Sequence, residues 1–397
     1  MLISKTKHGE WISLASNRNL QKLKELRKLE SFYCPECEEP VILKAGTKKI
    51  PHFAHLRGSA CTESFERESE YHLKGKFALF TWLKSHGLSP ALEPYLKTIA
   101  QRPDISFNYK GIQYAIEYQC STIPQELFQK RTENYFKENI SPIWIMAGKN
   151  VKRKNNNVIT LSKFDYLFLA ETPSNTLYIP AYCPITNSLI TIQHILPISV
   201  KNTLSNLSVK SLNSAGVMDL IHPNNVRPYF LRNWIYETKK TKNITIPLYG
   251  SIHNKFLQEL YSHGIIPSLL PHEIGLPVPS IHYIETPAIE WQSYIYIDIL
   301  KSGATITVEN IIHSFQRRVR NQDIRLRSLP LLPNNDGLIA VKEYINLLIK
   351  INVLQPIEET KLKVNHSYLK LDNIQNYLES EQAFYNKYER IISESLR

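Results

Sequence analysis

Residues 102 to 121, Arg-Pro-Asp-Ile-Ser-Phe-Asn-Tyr-Lys-Gly-Ile-Gln-Tyr-Ala-Ile-Glu-Tyr-Gln-Cys-Ser, bring two acids and an amide within reach of one another. The stretch alternates like two strands joined at Lys110-Gly111. Side chains on a strand alternate with period two. A two-residue turn at Lys110-Gly111 therefore sets Glu117 opposite Asp104. Opposed residues share a face at a spacing of about 5 Å, so Asp104, Glu117 and Gln119 converge on one patch. Two carboxylates that close repel. A divalent cation relieves them, since Mg²⁺ takes one or two carboxylates and leaves its other positions to water and phosphate. The same letters suit a plain hairpin with Glu117 facing solvent, and a three-residue loop would split the faces. Neighbouring elements have to decide.

A second group lies upstream. Cys34-Pro-Glu-Cys37 is followed by His52-Phe-Ala-His55 and then by Cys61. A Cys-x2-Cys turn aims two thiolates at one ion, as in half of a zinc knuckle. The remaining two ligands come from His52, His55 and Cys61, three candidates for two places. Four protein ligands leave no open position, so such a site is structural. A small strand-rich unit with unligated Cys and surface His is the plainer alternative.

The elements that must position the acids can be read around them. Residues 63 to 86 predict a helix in which Leu73, Phe77, Phe80 and Leu83 recur at helical spacing, stopped by Gly87. Glu68, His72 and Lys76 fall at i, i+4 and i+8 and line one polar stripe. Glu70 sits about 200° further round than Glu68, so only one of the two acids faces a given site. Gly75 costs a helix about 1 kcal/mol against Ala, which points to a close approach to the backbone there. An extended stretch over 92 to 99 precedes the hairpin. After it, Ser121 or Thr122 caps a helix with Pro124 in its first turn, running through Arg131 and Tyr135. Pro142-Ile-Trp-Ile-Met146 reads as a buried strand. The order helix, three strands, helix, strand predicts an α/β core with a mixed sheet and helices on both faces.

The chain has 397 residues and a formal charge of +12. That length suits two or three domains, and the charge points to a polyanionic partner, nucleic acid being the commonest. No apolar run approaches the roughly 20 residues of a membrane span, and the first residues lack the apolar core of a signal peptide. Five cysteines, unevenly spread, make no disulfide framework and fit a reducing, cytoplasmic setting. Lys149 to Asn157 is basic and Asn-rich, a domain boundary. The expected division is 1–62, 63–150 and 151–397. Within the last part, 161 to 170 and 177 to 195 read as strands and 267 to 279 as a Pro-rich loop. Residues 253–261, 308–320, 341–354 and 368–396 read as helices, and 287–300 is ambiguous. Arg317, Arg318 and Arg320 close one helix, where the dipole alone explains them and a phosphate contact is the alternative. This half has a mixed, largely helical and basic character and shows no chemistry of its own.

Taken in order, the helix acids, Pro103-Asp104 and Glu117-Tyr118-Gln119 followed by a helix resemble the PD-(D/E)xK, restriction-endonuclease-like nuclease core, with Gln119 where Lys is usual. Joined to the upstream Cys-Pro-x-Cys and Pro-His-Phe-Ala-His unit, the series resembles the competence protein CoiA family over roughly residues 1 to 150. The resemblance implies a small zinc-finger-like unit holding structural Zn²⁺ ahead of a nuclease domain dependent on Mg²⁺ or Mn²⁺. It implies work in genetic competence and transformation, in recombination of incoming DNA. The partners would be single-stranded DNA or recombination intermediates, together with recombination proteins and no membrane. Carried over, Asp104 and Glu117 bind the metal, and Glu68 or Glu70 orients metal or water. Gln119 takes the place of the Lys that positions the attacking water, with His72, Lys76 and Ser121 in support. A neutral amide cannot lower a water's pKa by charge, and Lys76 is the candidate to supply that charge. Two rivals stand: a nuclease-fold DNA-binding scaffold without turnover, and a zinc-containing adaptor for protein partners.

Overall fold

The computed structural model describes residues 1–15, 19–46, 49–56, 69–224, 230–302, 305–333, 336–358, 360–365 and 374–396, with the backbone alone for 374–376. Cys61 and Glu68 lie outside the described residues. The chain forms two compact units. One comprises Met1–Val151, Leu167–Gln193 and Leu207–Asn225, and the other Lys152–Tyr166, His194–Asn206 and Val226–Arg397.

The first unit opens with a five-stranded antiparallel sheet. Its members are β1 (Ile3–Thr6), β2 (Trp11–Ser13), β3 (Phe32–Tyr33), β4 (Pro40–Lys44) and β5 (His52–His55), in the order β2-β1-β3-β4-β5. Helix α1 (Leu20–Leu29) is the basic, Leu-bearing segment between β2 and β3, capped by the Asn19 side chain. Then come α2 (Glu70–Ser85), β6 (Ala91–Leu92), β7 (Ile105–Tyr109), β8 (Ile112–Gln119), α3 (Gln125–Lys137) and β9 (Ser141–Ala147). This is the predicted helix, strand, strand, strand, helix, strand order. β6, β7 and β8 pair antiparallel, while β9 pairs parallel with β8 and with strand Leu177–Cys183. The sheet is mixed. β8 lies between β7 and β9 with α2 on one face and α3 on the other, so its last six residues are all buried and alternation fades from its sequence.

The hairpin turn is the two-residue one. Tyr109 pairs with Ile112 and Ile105 with Ile116, and Lys110 and Gly111 have φ of +50° and +81°, the sign that a type I′ turn requires at both positions. The Gly75 expectation also finds its partner. A Cβ on Gly75 would lie 2.0 Å from Tyr118 Cε1, so the ring of β8 rests on the α2 backbone where only glycine fits. Since Tyr118 faces α2, its neighbours Glu117 and Gln119 face α3, on the other side of the sheet.

One apolar core joins Leu2 beside the first sheet and its Phe32 and Phe53 to Leu79 and Leu83 of α2 and Ile105 of β7. At α3 the start differs from the expectation. Pro124 itself is the N-cap, with φ −54° and no side-chain cap, and the Ser121 carbonyl instead accepts from the Gln119 amide at 3.0 Å.

In the second unit, strand Lys152–Arg153 pairs with Val158–Thr160, which also pairs with residues 202–204. A three-stranded antiparallel sheet has the order Thr305–Thr307, Lys361–Val364, Leu354–Pro356. Helices Leu231–Lys240, Lys255–Ser262, Ala288–Asp298, Val308–Arg320, Leu338–Lys350 and Ile374–Ser395 supply most of the rest. The ambiguous 287–300 run is a helix, buried almost all round, which hides its periodicity. The strand expected over 161–170 is largely a 3-10 turn at Asp165–Phe168. Arg318 pairs inside this unit with Asp298, Glu259 and Asp323.

Candidate functional site: an acid centre and a Cys/His knuckle

Asp104 ends the loop before β7, and its two oxygens are both engaged. Oδ1 lies 3.1 Å from Lys76 Nζ. Oδ2 accepts the Tyr118 N–H at 2.8 Å and lies 3.2 Å from His72 Nε2. His72 and Lys76 come one turn apart on α2. Lys76, expected on a polar stripe, is only 1% exposed, because it and His72 face the acids and not water.

Glu93 completes a largely buried triad with Lys76 and Asp104 that the sequence did not flag. Lys76 Nζ lies 2.6 Å from its Oε1, and its carboxylate also accepts the N–H groups of Leu2, at 3.0 Å, and Ile3, at 3.2 Å. The backbone of Glu93 has φ +46°, a strained conformation for a residue with a Cβ. Only that strain and Pro94 after it could have marked the position.

Glu117 is buried on the α3 side. Its Oε1 receives Arg131 Nη2 and the Tyr135 hydroxyl. Burial pushes its carboxyl up to about 7, opposed by the Arg131 charge and reinforced by Asp104. The two acids thus feel each other electrostatically across the Tyr118 peptide. Their register is that of opposed residues continued one step beyond the ladder, yet the carboxylates turn to different partners. Asp104 leaves the strand before Ile105 and leans to α2, and Glu117 stays on the α3 face. Arg131 and Tyr135 were legible as helix, not as site. With Phe128 and Thr132 they form the inward stripe of α3.

Gln119 lies two residues on, 9% exposed, with its amide nitrogen held by Ser121. Glu70 pairs with Lys74 at 2.8 Å on the outer side of α2, and Lys74 holds its carboxyl below the usual carboxylate range. Among the described residues no hydrogen bond or ion pair joins it to Asp104 or Glu117.

The second cluster is Cys34, Cys37 and His55, whose ligand atoms all lie within 4.8 Å of one another. The turn between β3 and β4 builds it. Cys34 N–H donates to Glu39 O at 2.9 Å, and Glu38 N–H returns to Cys34 O at 3.1 Å, with Glu38 at φ +58°. β5 brings His55 opposite Val41, at the start of β4, and Cys37 Sγ stands 3.4 Å from His55 Nε2. Burial holds the His55 ring below its ordinary value, which keeps it neutral, the form that binds metal. His52 is not in the cluster. Three residues along a strand put it on the opposite face from His55, and its Nδ1 bonds Ile50 O at 2.8 Å. Two thiols and an imidazole are a donor set that zinc prefers, and the cluster is consistent with a structural metal site.

Arg102 spans the two centres. Its Nη2 lies 3.1 Å from Glu36 within the knuckle loop and 4.0 Å from Cys34 Sγ. Its carbonyl accepts Arg131 Nη2 at 3.0 Å.

Comparison with known proteins covers most of the chain. A family model described as "Competence protein CoiA, N-terminal domain" matches residues 15–64. "Competence protein CoiA, nuclease-like domain" matches 68–225, and "Competence protein CoiA, C-terminal domain" matches 230–380. A protein of Bacillus subtilis (strain 168) named "Competence protein CoiA" is 32% identical over 368 residues, covering 91% of this chain and 96% of the relative. No solved structure matches. No helix among the described residues is long and apolar enough to cross a membrane.

Proposed function

The chain belongs to the competence protein CoiA family, and from that premise we propose that it is a DNA-processing, nuclease-like protein that hydrolyses phosphodiesters in a metal-dependent way during recombination of incoming DNA. The observation that carries this is Asp104 and Glu117 on either side of the Tyr118 peptide, with the Lys76 ammonium 3.1 Å from Asp104. In the proposed restriction-endonuclease-like core, these carboxylates are the hard oxygen donors that suit Mg²⁺ or Mn²⁺. When bound, such an ion lowers the pKa of a water and offsets charge on the phosphate.

The chain's own groups have the remaining tasks. Lys76, fixed between Glu93 and Asp104, brings the positive charge that Gln119 lacks. Gln119, turned by Ser121, offers an uncharged amide to orient water or phosphate. His72 sits on the outer edge of Asp104, where it can hold or pass a proton. The basic surface would position a strand without reading its sequence, with affinity falling steeply as salt rises. Cys34, Cys37 and His55 are the proposed ligands of a structural Zn²⁺, with Cys61 the proposed fourth. The cytoplasm is the proposed place of work.

A second reading has its own observation. Both acids already hold internal cations, Asp104 with Lys76 and Glu117 with Arg131, and a centre neutralised in this way suits a DNA-binding scaffold that does not turn over. A nuclease assay with Mg²⁺ or Mn²⁺, comparing the native protein with Asp104→Ala, separates the two. Cleavage lost in Asp104→Ala supports the hydrolase. DNA binding without cleavage in both supports the scaffold.

A further inference from the structure

We propose that Arg131 is a phosphate-binding residue of the acid centre, held on Glu117 until DNA draws it away. This rests on the metal-dependent DNA reading above and assigns to it a residue that the motif does not contain. Glu117 Oε1 already takes two donors, Arg131 Nη2 and the Tyr135 hydroxyl. A cation approaching that oxygen meets a guanidinium first. One of the two donors has to leave, and their surroundings distinguish them. Tyr135 is fully buried, with no route to solvent.

The side chain of Arg131 is 20% exposed, against 13% for His72 and 2% for Lys76. Of these three basic groups on Asp104 and Glu117, it reaches solvent furthest. Lys76 is also locked by two carboxylates, Glu93 and Asp104, and the Arg131 fork reaches the Glu117 carboxylate and the Arg102 carbonyl.

The geometry suits transfer to a phosphate. Arg131 lies on α3 at the border of the buried stripe of Phe128, Thr132 and Tyr135. Through the Arg102 carbonyl it bridges from Glu117 to the segment that leads into Pro103-Asp104. A guanidinium exchanges one oxyanion for another without changing its own charge, and it grips phosphate with two parallel N–H bonds. Once moved, it leaves Glu117 Oε1 with the Tyr135 bond and one acceptor position open. DNA and metal then favour each other, and linkage requires that each strengthen the other by the same factor.

The test reads binding and not cleavage. The affinity of a short, labelled, single-stranded phosphorothioate oligonucleotide is measured by fluorescence anisotropy, with and without Mn²⁺, for the full chain. In the native protein Mn²⁺ tightens binding at least tenfold. In Arg131→Met the gain falls below threefold, and in Arg131→Lys, which keeps a point charge without the fork, it is intermediate. Circular dichroism melts check folding. If Arg131→Met does not fold, Arg131→Lys decides, and a native-sized gain there overturns the proposal. A native-sized gain in a folded Arg131→Met also overturns it, while Asp104→Ala losing the gain in the same experiment leaves the metal-centre reading standing. A native protein whose DNA affinity ignores Mn²⁺, or an Asp104→Ala protein that keeps the full gain, overturns both.

Discussion

The Tyr118 ring lies directly on the α-carbon of Gly75, so close that a methyl group there would overlap it. Tyr118 cannot easily yield, because its hydroxyl donates to the Tyr182 carbonyl at 2.9 Å and its ring packs edge-on against Tyr182. Gly75→Ala therefore brings the usual helix-propensity gain of about 1 kcal/mol against overpacking of about 1–3 kcal/mol or more. The expected result is a lower melting temperature, read by circular dichroism. A rise would mean that Tyr118 is not held there.

Lys76 binds two acids at once, the buried Glu93 and the partly buried Asp104. Lys76→Met strands Glu93 and Asp104, and breaking a buried pair in this way costs about 3–5 kcal/mol. Adding Glu93→Gln removes one of the stranded charges, so the double variant should recover part of the loss in a double-mutant cycle of urea unfolding. Strictly additive losses would show that the two side chains do not interact. If Lys76→Met folds and cleaves DNA at the native rate with unchanged metal dependence, Lys76 is not the replacement for the missing catalytic lysine.

The two histidines of β5 should separate cleanly. His55→Asn is expected to lose bound zinc and lower the melting temperature, and Cys37→Ser should do the same, since structural zinc contributes directly to folding. His52→Asn should keep one zinc per chain, counted by a colorimetric chelator assay. Equal zinc loss in both histidine variants would place His52 among the ligands.

Acid should weaken the second unit through two buried imidazoles. Burial holds His282 down to about 3 and His272 to about 4, against an ordinary 6.5. Both folded values lie below the unfolded one, so the unfolded chain takes protons first. The stability these rings provide is present above pH 6.5 and is lost as pH falls toward 4 and then 3, by up to about 1.4 kcal/mol per unit for each ring. Melting temperature measured from pH 7 to pH 4.5 should fall, and the double variant His272→Gln, His282→Gln should flatten that slope. An unchanged slope would exclude these residues as its source.

What could be read from the letters divides along physical lines. The turn at Lys110-Gly111, the α/β order and the Gly75 approach follow from local rules, and all are in the structure. The Cys34-x2-Cys37 turn was legible because its spacing is its geometry. The choice of His55 over His52 was not, since it depends on the segment being a strand. Glu93, Arg131 and Tyr135 reach the acids only through tertiary packing, and nothing in their own neighbourhood announces it. The hydrogen-bond partners of Asp104 and Glu117 were hidden for a related reason. Register is local, but Asp104 sits one residue beyond the ladder, where Lys76 and His72 decide its direction.

The Glu93 carboxylate that grips Lys76 also anchors the backbone of Leu2 and Ile3, and a single apolar core joins the first sheet to the second. Calorimetry should accordingly show the knuckle sheet and the acid centre melting in one heat-absorption peak. A fragment beginning at residue 63 would lack the hydrogen-bond donors that hold Glu93 and would expose Leu83 and Ile105 to water, so it is a poor reagent for studying the centre alone. Recombining this sheet with a nuclease-like core from a distant relative would fail for the same reason, because the two are folded as one object.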